Sequence, residues 1–230
     1  QSQAITPERR GRLAELRERM AGLEWEDAVE DIVTLARANN IAEAQLRSCA
    51  EASKASFLTL LGEADPEWPA EAINAALLDA LYAFPGELHP DDATKKTSDA
   101  LSRAQQNLRQ LQRVGWIPWK EWVYLSKIET AKKSSDAADT VGRPAARFDI
   151  HPELRQQAGE VIDLIFHIAA DSLHAYERYK RDLGVLDFTD QETLALRLLR
   201  DERVRAVLEE EIDLVLVDEF QDTSPIQLCL

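Results

Sequence analysis

Ile212-Asp213-Leu214-Val215-Leu216-Val217-Asp218-Glu219 is a short, almost uninterrupted apolar run with β-branched residues that ends in two adjacent carboxylates. A strand buried on both faces of a parallel sheet reads this way. Such a strand needs parallel neighbours, and outward from it the chain offers no second convincing candidate. Glycine is only 8 of 230 residues, about half the usual ~7%, while alanine and leucine are abundant. That composition favours helix over a sheet-rich fold with its many glycine-dependent turns. The expected fold is mainly α: a multi-helix bundle, then a short piece (strand plus helix start) of an α/β domain whose other strands are missing.

Over residues 6–61 the apolar positions recur at helical spacing in three blocks broken near Gly22 and Asn39-Asn40. The blocks present Leu13, Leu16, Met20 and Leu23; Val29, Ile32, Val33 and Ala36; and Leu46, Cys49, Phe57, Leu60 and Leu61. Thr6-Pro7-Glu8-Arg9 gives the first a capped start with proline in its first turn. A helix over about 68–82 leads into a turn-rich stretch from Phe84-Pro85-Gly86 to Asp91-Asp92. The stripe Leu101, Ala104, Leu108, Leu111 predicts a helix over 95–114 that stops at Gly115, and Pro118 starts another. Residues 131–147 are small and polar, lack an apolar period and are expected to form a mobile loop. A long helix resumes near Pro152, with Leu154, Val161, Ile165, Ala169, Leu173 and Tyr176 on one face, and one more helical block covers 191–211.

The 27 basic and 42 acidic residues leave a charge of −15, too acidic for a uniformly basic nucleic-acid coat. No run approaches eighteen apolar residues, so no membrane partner is expected. Cys49 and Cys229 are too few for a disulfide framework and form no CxxC pair, which points to a reducing cytoplasm. A chain that begins at Gln1 with Met20 as its only methionine reads as a piece of something longer.

The chemistry concentrates after the apolar run, in Asp218-Glu219-Phe220-Gln221-Asp222-Thr223-Ser224-Pro225-Ile226-Gln227. A strand that delivers two carboxylates at its tip suits a nucleotide triphosphatase: the first can hold the hydration shell of Mg²⁺, the second can orient or deprotonate the attacking water. Thr223-Ser224-Pro225 supplies a cap and first-turn proline for a following helix.

This string resembles motif II, the Walker B element, of the UvrD/Rep superfamily 1 DNA helicases, including the AddA- and RecB-like nuclease-helicases. Upstream, Tyr176, Tyr179-Lys180 and Gly184-Val185-Leu186-Asp187-Phe188-Thr189-Asp190 resemble the YxxYK…LDFxD segment that precedes motif II in those enzymes. The resemblance implies an ATP-dependent 3′-to-5′ DNA helicase or translocase of repair or recombination, using Mg²⁺ and ATP in the intact protein. It implies a helical accessory insertion over 1–183 and, over 184–230, the return into a RecA-like ATPase domain. Asp218 then resembles the Mg²⁺-water ligand, Glu219 the catalytic base, and Gln221 and Asp222 coupling residues. The implied partners are DNA, single-stranded or at a duplex junction, the rest of the helicase chain, and a nuclease partner or domain. No GxxxxGK[ST] occurs, so the chain alone is expected to be inactive as an ATPase.

The charge is unevenly spread. Residues 95–147 hold eleven basic and five acidic residues, a net of +6 that leaves −21 for the remainder. Trp116, Trp119, Trp122 and Tyr124 share the window, which combines backbone-neutralising charge with rings on which bases can stack. Lys120, Lys127, Lys132, Lys133, Trp116 and Trp119 are its DNA-binding candidates; the alternative is that the tryptophans are core and the cations a solvated face. Asp163, His167, Asp171 and His174 have metal-compatible spacing but read as a solvated helix face. Cys49 reads as a core thiol. The rival to the helicase reading is a non-enzymatic helical module that binds single-stranded DNA or a protein partner.

Overall fold

The computed structural model describes residues 5–63, 65–223 and 225–229, with the side chains of Asp222 and Cys229 excepted. Among these residues the fold is helical and holds no strand. Ten α-helices follow one another: α1 (Pro7–Met20), α2 (Trp25–Ala38), α3 (Glu43–Leu60), α4 (Ala70–Glu87), α5 (Lys95–Val114), α6 (Trp119–Ser126), α7 (Ser135–Ala145), α8 (Pro152–Leu183), α9 (Phe188–Leu199) and α10 (Glu202–Glu211). They divide into two compact units, one of Pro7–Leu23 and Ala52–Ile162, the other of Gln1–Thr6, Glu24–Glu51 and Asp163–Leu230.

The first unit is built around α4, α5, α6 and α7. Its core joins Ile73, Leu77, Leu81 and Phe84 of α4 to Trp119, Trp122 and Leu125 of α6 and Val141 of α7. α5 follows its stripe: the Thr94 hydroxyl accepts from the Thr97 N–H at the head, and Gly115, at φ +78°, ends the helix in a conformation that favours glycine. α4, by contrast, runs through the expected turn at Pro85-Gly86. Proline within a helix removes one backbone bond; here it falls in the last turn, and Leu81 and Phe84 are fully buried around it.

The expected loop over 131–147 is also helical, a 3₁₀ turn (Lys132–Ser134), α7, and a second turn (Ala146–Phe148). Its small residues hid the pattern: Ala137, Ala138, Val141 and Ala145 are buried at helical spacing, and short side chains let helices approach closely. A Cβ on Gly142 would lie 3.5 Å from the Ser126 carbonyl oxygen. The polar residues are consumed as well. Ser134, buried, donates to Asp92 Oδ2 at 2.6 Å, Thr97 Oγ1 donates to the same oxygen at 2.8 Å, and the Ala131 N–H donates to Thr97 Oγ1 at 2.9 Å. With the Ser134 bond the largest cause, the Asp92 carboxyl is held down at about 2.

In the other unit α2, α3 and the later part of α8 bury Ala36, Leu46, Ala170 and Leu173 against Ile32, Val33, Ile41 and Phe166. Cys49 is half-buried rather than core, and Phe57 and Leu60 of the predicted stripe are exposed. The block over 191–211 is two helices, because Asp201 caps a new one by accepting from the Arg203 N–H. Residues 212–217 leave α10 as irregular chain rather than a strand, with Ile212 and Leu214 through Val217 46–84% exposed. The physical reason is the missing partner: a strand is defined by a ladder, and among the described residues no other strand exists to complete one.

Candidate functional site

Two clusters in the unit of α2, α8, α9 and α10 fall on the singled-out motifs. The first lies at the end of α8. Gly184, at φ +65°, terminates the helix, and three residues later Asp187 caps α9 in a reciprocal box: its Oδ1 accepts from the Asp190 N–H at 3.1 Å, while Asp190 Oδ2 accepts from the Asp187 N–H at 3.0 Å. Lys180, one turn before the end of α8, inserts its ammonium between these carboxylates, 2.5 Å from Asp190 Oδ1 and 3.3 Å from Asp187 Oδ2. Its side chain is only 8% exposed.

Asp187 Oδ2 also accepts from the Tyr176 hydroxyl at 3.1 Å and from the Arg37 guanidinium of α2. The Tyr176 ring packs under both cations, 4.9 Å from Arg37 and 4.8 Å from Lys180. Burial alone raises the Asp187 carboxyl; the Asp190 N–H, Lys180, Arg37 and Tyr176 outweigh it and hold the group at about 2. A cavity of about 340 Å³ adjoins the knot, with Arg37, Lys180, Arg181 and Arg197 on its wall beside Leu173, Val185 and Leu194. The segment similar to YxxYK…LDFxD is therefore an ionic clasp. Arg37 was not legible as its member, since nothing in a basic residue of a last helical turn marks a partner 150 positions away.

The second cluster is the acidic tip. Asp218, Glu219 and Gln221 are exposed. Asp218 Oδ1 accepts from the Glu219 N–H at 2.9 Å, and the Gln221 side-chain amide donates to Glu219 Oε2. Glu219 adopts φ +52°, an uncommon conformation for a residue with a side chain, and turns the chain into the 3₁₀ segment Phe220–Asp222. The side chain of Asp222 and all of Ser224 lie outside the described residues. The adjacent carboxylates thus sit on a solvent-facing turn, able to present one oxygen set to a hydrated cation and another to water. Asp163, His167, Asp171 and His174 do not gather as a metal site; among the described residues no group of three or more ligating side chains could hold one. Instead, Asp171 meets Arg47 at 3.3 Å and His174 meets Glu43 at 3.5 Å.

The basic window lies in the other unit. Lys120, Lys127, Lys132 and Lys133 are all exposed or half-exposed, with none of the four buried. Trp119 is not available for stacking: it is 6% exposed, and its indole N–H donates to Gln157 Oε1 at 2.8 Å. Trp122 is buried as well, whereas Trp116 is half-buried with the Arg19 guanidinium 4.7 Å from its ring. Arg103 is committed to Glu121 through two 2.9 Å bonds and lies 3.6 Å from the Tyr124 ring. Lys96 pairs with Glu129 at 2.6 Å. These lysines stand outward together with Lys95, Arg109, Arg113 and Arg143, and the rings are mostly internal.

The exposed acidic turn and the ionic clasp upstream of it are the two segments whose sequences resemble those of UvrD/Rep-type helicases. The chain belongs to the UvrD/REP helicase family, whose N-terminal domain model matches residues 15–230. It is similar to an ATP-dependent helicase/nuclease subunit of Latilactobacillus sakei, at 34% identity over 76 residues covering 32% of this chain and 8% of that protein. The corresponding protein of Staphylococcus saprophyticus is 32% identical over 94 residues, 39% of this chain and 8% of that one. That of Oenococcus oeni is 44% identical over 48 residues, 21% and 4% respectively. The matched stretch is less than a tenth of each of these relatives. No solved structure matches the chain. No helix among the described residues is long and apolar enough to cross a membrane.

Proposed function

We propose that this chain is part of an ATP-dependent 3′-to-5′ DNA helicase or translocase acting in repair or recombination. Residues 1–183 form its helical accessory insertion, and residues 184–230 re-enter a RecA-like ATPase domain in which 212–217 becomes a parallel strand. The observation that carries the reading is the paired Asp218 and Glu219 at the tip of an apolar run whose side chains stand in solvent, within a chain of the UvrD/REP family. Burying such a run between neighbouring strands removes its apolar surface from water and satisfies its backbone.

The residues present fit Mg²⁺ and ATP in part. Mg²⁺ keeps several waters and takes one or two carboxylates with substrate phosphates, and Asp218 retains an oxygen not engaged by the Glu219 N–H for such a hydrated ion. Glu219 is the base for the attacking water, and the Gln221 amide on its carboxylate orients it. The ion supplies charge neutralisation at the phosphates. The sequence holds no GxxxxGK[ST] cradle, so the chain by itself is expected to lack ATPase activity. Lys120, Lys127, Lys132 and Lys133 are the DNA-contacting residues of the accessory insertion. The relatives are named as one component of a helicase/nuclease, which supports a partner chain and an associated nuclease.

The test is Glu219→Gln in the full-length protein that contains this chain. Nucleotide binding should persist while hydrolysis drops by about 10² to 10⁴-fold, the usual contribution of a general base. Normal turnover would refute the assignment. A non-enzymatic module, the rival reading, requires that the gene lack a phosphate loop upstream of Gln1 and further helicase motifs downstream of Leu230.

A further inference from the structure

We propose that Asp92 is a positioning residue for the contact of Lys132 and Lys133 with single-stranded DNA; this rests on the reading above that those lysines meet backbone phosphates. Both stand exposed on the 3₁₀ turn Lys132–Ser134, and neither forms an ion pair among the described residues. The chain on each side of the pair is tied to one carboxylate. Ser134, the residue after Lys133, is buried and donates its hydroxyl proton to Asp92 Oδ2 at 2.6 Å. The N–H of Ala131, the residue before Lys132, donates to Thr97 Oγ1 at 2.9 Å, and the Thr97 hydroxyl donates to the same Asp92 oxygen at 2.8 Å. The Thr130 hydroxyl closes the turn by donating to the Ser134 carbonyl oxygen at 2.8 Å.

Asp92 is itself fixed. Its other oxygen, Oδ1, accepts from the Thr94 hydroxyl at 2.8 Å and from the Thr94 N–H at 3.3 Å, at the residue that caps α5. α7, buried through Ala137, Ala138 and Val141, holds the exit of the lysine turn. The Asp92 network holds its entry and ties both ends to the head of α5. Lysines on free chain must give up backbone freedom when they meet phosphate; a pair already held does not, so the network raises affinity by preorganisation. Charge alone acts in the opposite direction, because a carboxylate beside the lysines repels phosphate, and its removal by itself would tighten binding. The two effects of Asp92 therefore have opposite signs in a binding experiment.

The experiment uses the full-length protein that contains this chain, free of nucleotide, and the anisotropy of a labelled single strand between about 50 and 200 mM salt. In Asp92→Ala the slope of log K against log salt should become shallower by about 0.7 to 1.4, one or both phosphate contacts. Affinity at about 0.1 M salt should fall by about five- to 25-fold, since each single-strand contact scales as inverse salt to the power ~0.7. In a protein that already carries Lys132→Gln with Lys133→Gln, Asp92→Ala should bring no further loss, because the contacts it positions are gone; a general folding defect would weaken binding in both backgrounds. Ser134→Ala opens the Lys133 side without changing the charge, should move the slope in the same direction, and replaces Asp92→Ala if that variant fails to fold. Wild-type or tighter binding by the folded Asp92→Ala protein, or by Ser134→Ala where it stands in, overturns the inference, as does an equal loss in the double-lysine background. If the double-lysine variant has a shallower slope than wild type, such a result sinks the inference alone. If it keeps the wild-type slope, the DNA reading of the turn falls and takes the inference with it.

Discussion

His151 offers a sharp measurement because its surroundings determine its charge. The ring has 0% exposure and sits edge-on to two indoles, 4.9 Å from Trp119 and 5.4 Å from Trp122. Its Nδ1 accepts from the Glu153 N–H in the first turn of α8 at 3.2 Å. That donor fixes the tautomer: the proton resides on Nε2, which donates to Asn74 Oδ1 at 3.2 Å. A second proton would turn Nδ1 into a donor facing a donor, in a buried site. Burial therefore pushes the imidazole below its ordinary 6.5, with the Glu153 and Glu71 charges opposing and Arg19 assisting. The unfolded chain takes up a proton near 6.5 that the native chain refuses, so stability must fall as pH drops below that value.

The slope approaches about 1.4 kcal/mol per pH unit well below 6.5, and the loss between pH 6.5 and 5.5, where the unfolded ring is still taking up its proton, is at most about 1 kcal/mol. It levels off once pH passes below the native value. Denaturant titrations at half-unit steps from pH 7.5 to 5.0, followed by the fluorescence of the flanking indoles, measure it directly. The control is His151→Asn, whose amide oxygen can still accept from the Glu153 N–H but does not titrate. The stability of that variant should be lower overall, and the difference between the two proteins should shrink on acidification. Parallel curves for wild type and variant would mean that the ring is already charged, or already solvated, in the native state.

Glu121→Ala removes the acceptor of both Arg103 bonds and of the Asn107 amide at 3.0 Å. It should cost about 1 to 2 kcal/mol in a denaturation experiment, kept modest by water reaching the half-exposed Arg103. Arg103 holds the Glu121 carboxyl below its ordinary 4.5, so this contribution is full above that value and fades as pH falls beneath it; the variant should lack that part of the acid limb. For DNA, Lys132→Gln with Lys133→Gln should make log K against log salt shallower by about 1.4 for a labelled single strand, two phosphate contacts at ~0.7 each. Anisotropy of the label is the readout, since Trp119 and Trp122 are buried; an unchanged slope removes these lysines from the interface.

What was legible along the chain had strong local signals. The α5 stripe with its Thr94 cap and Gly115 stop folds as its spacing predicts, because cap chemistry and helical period act over a few residues. α7 was hidden for the converse reason: alanines at 137, 138 and 145 carry almost no hydropathy contrast, yet close packing buries them. Pro85 misled through a rule about isolated helices that burial of the preceding turn overrides. At the acidic tip the residue types were readable, whereas the positive φ of Glu219 and the Gln221 bond depend on the fold of the turn. The clasp was half readable: its four motif residues stood out, and Arg37 did not.

By itself the sequence determined the helical class, the family, and which carboxylates are candidates for chemistry, since composition, period and motif spacing are properties of neighbours along the chain. Tertiary structure alone decided which charges are outward, which tryptophans are core, and that Lys180 rather than a solvated lysine meets Asp187 and Asp190. Those outcomes depend on desolvation and on groups from distant segments meeting at hydrogen-bond range. The same physics leaves residues 212–217 without a ladder: an apolar, β-branched run has the propensity for a strand, but only a neighbouring strand can make it one.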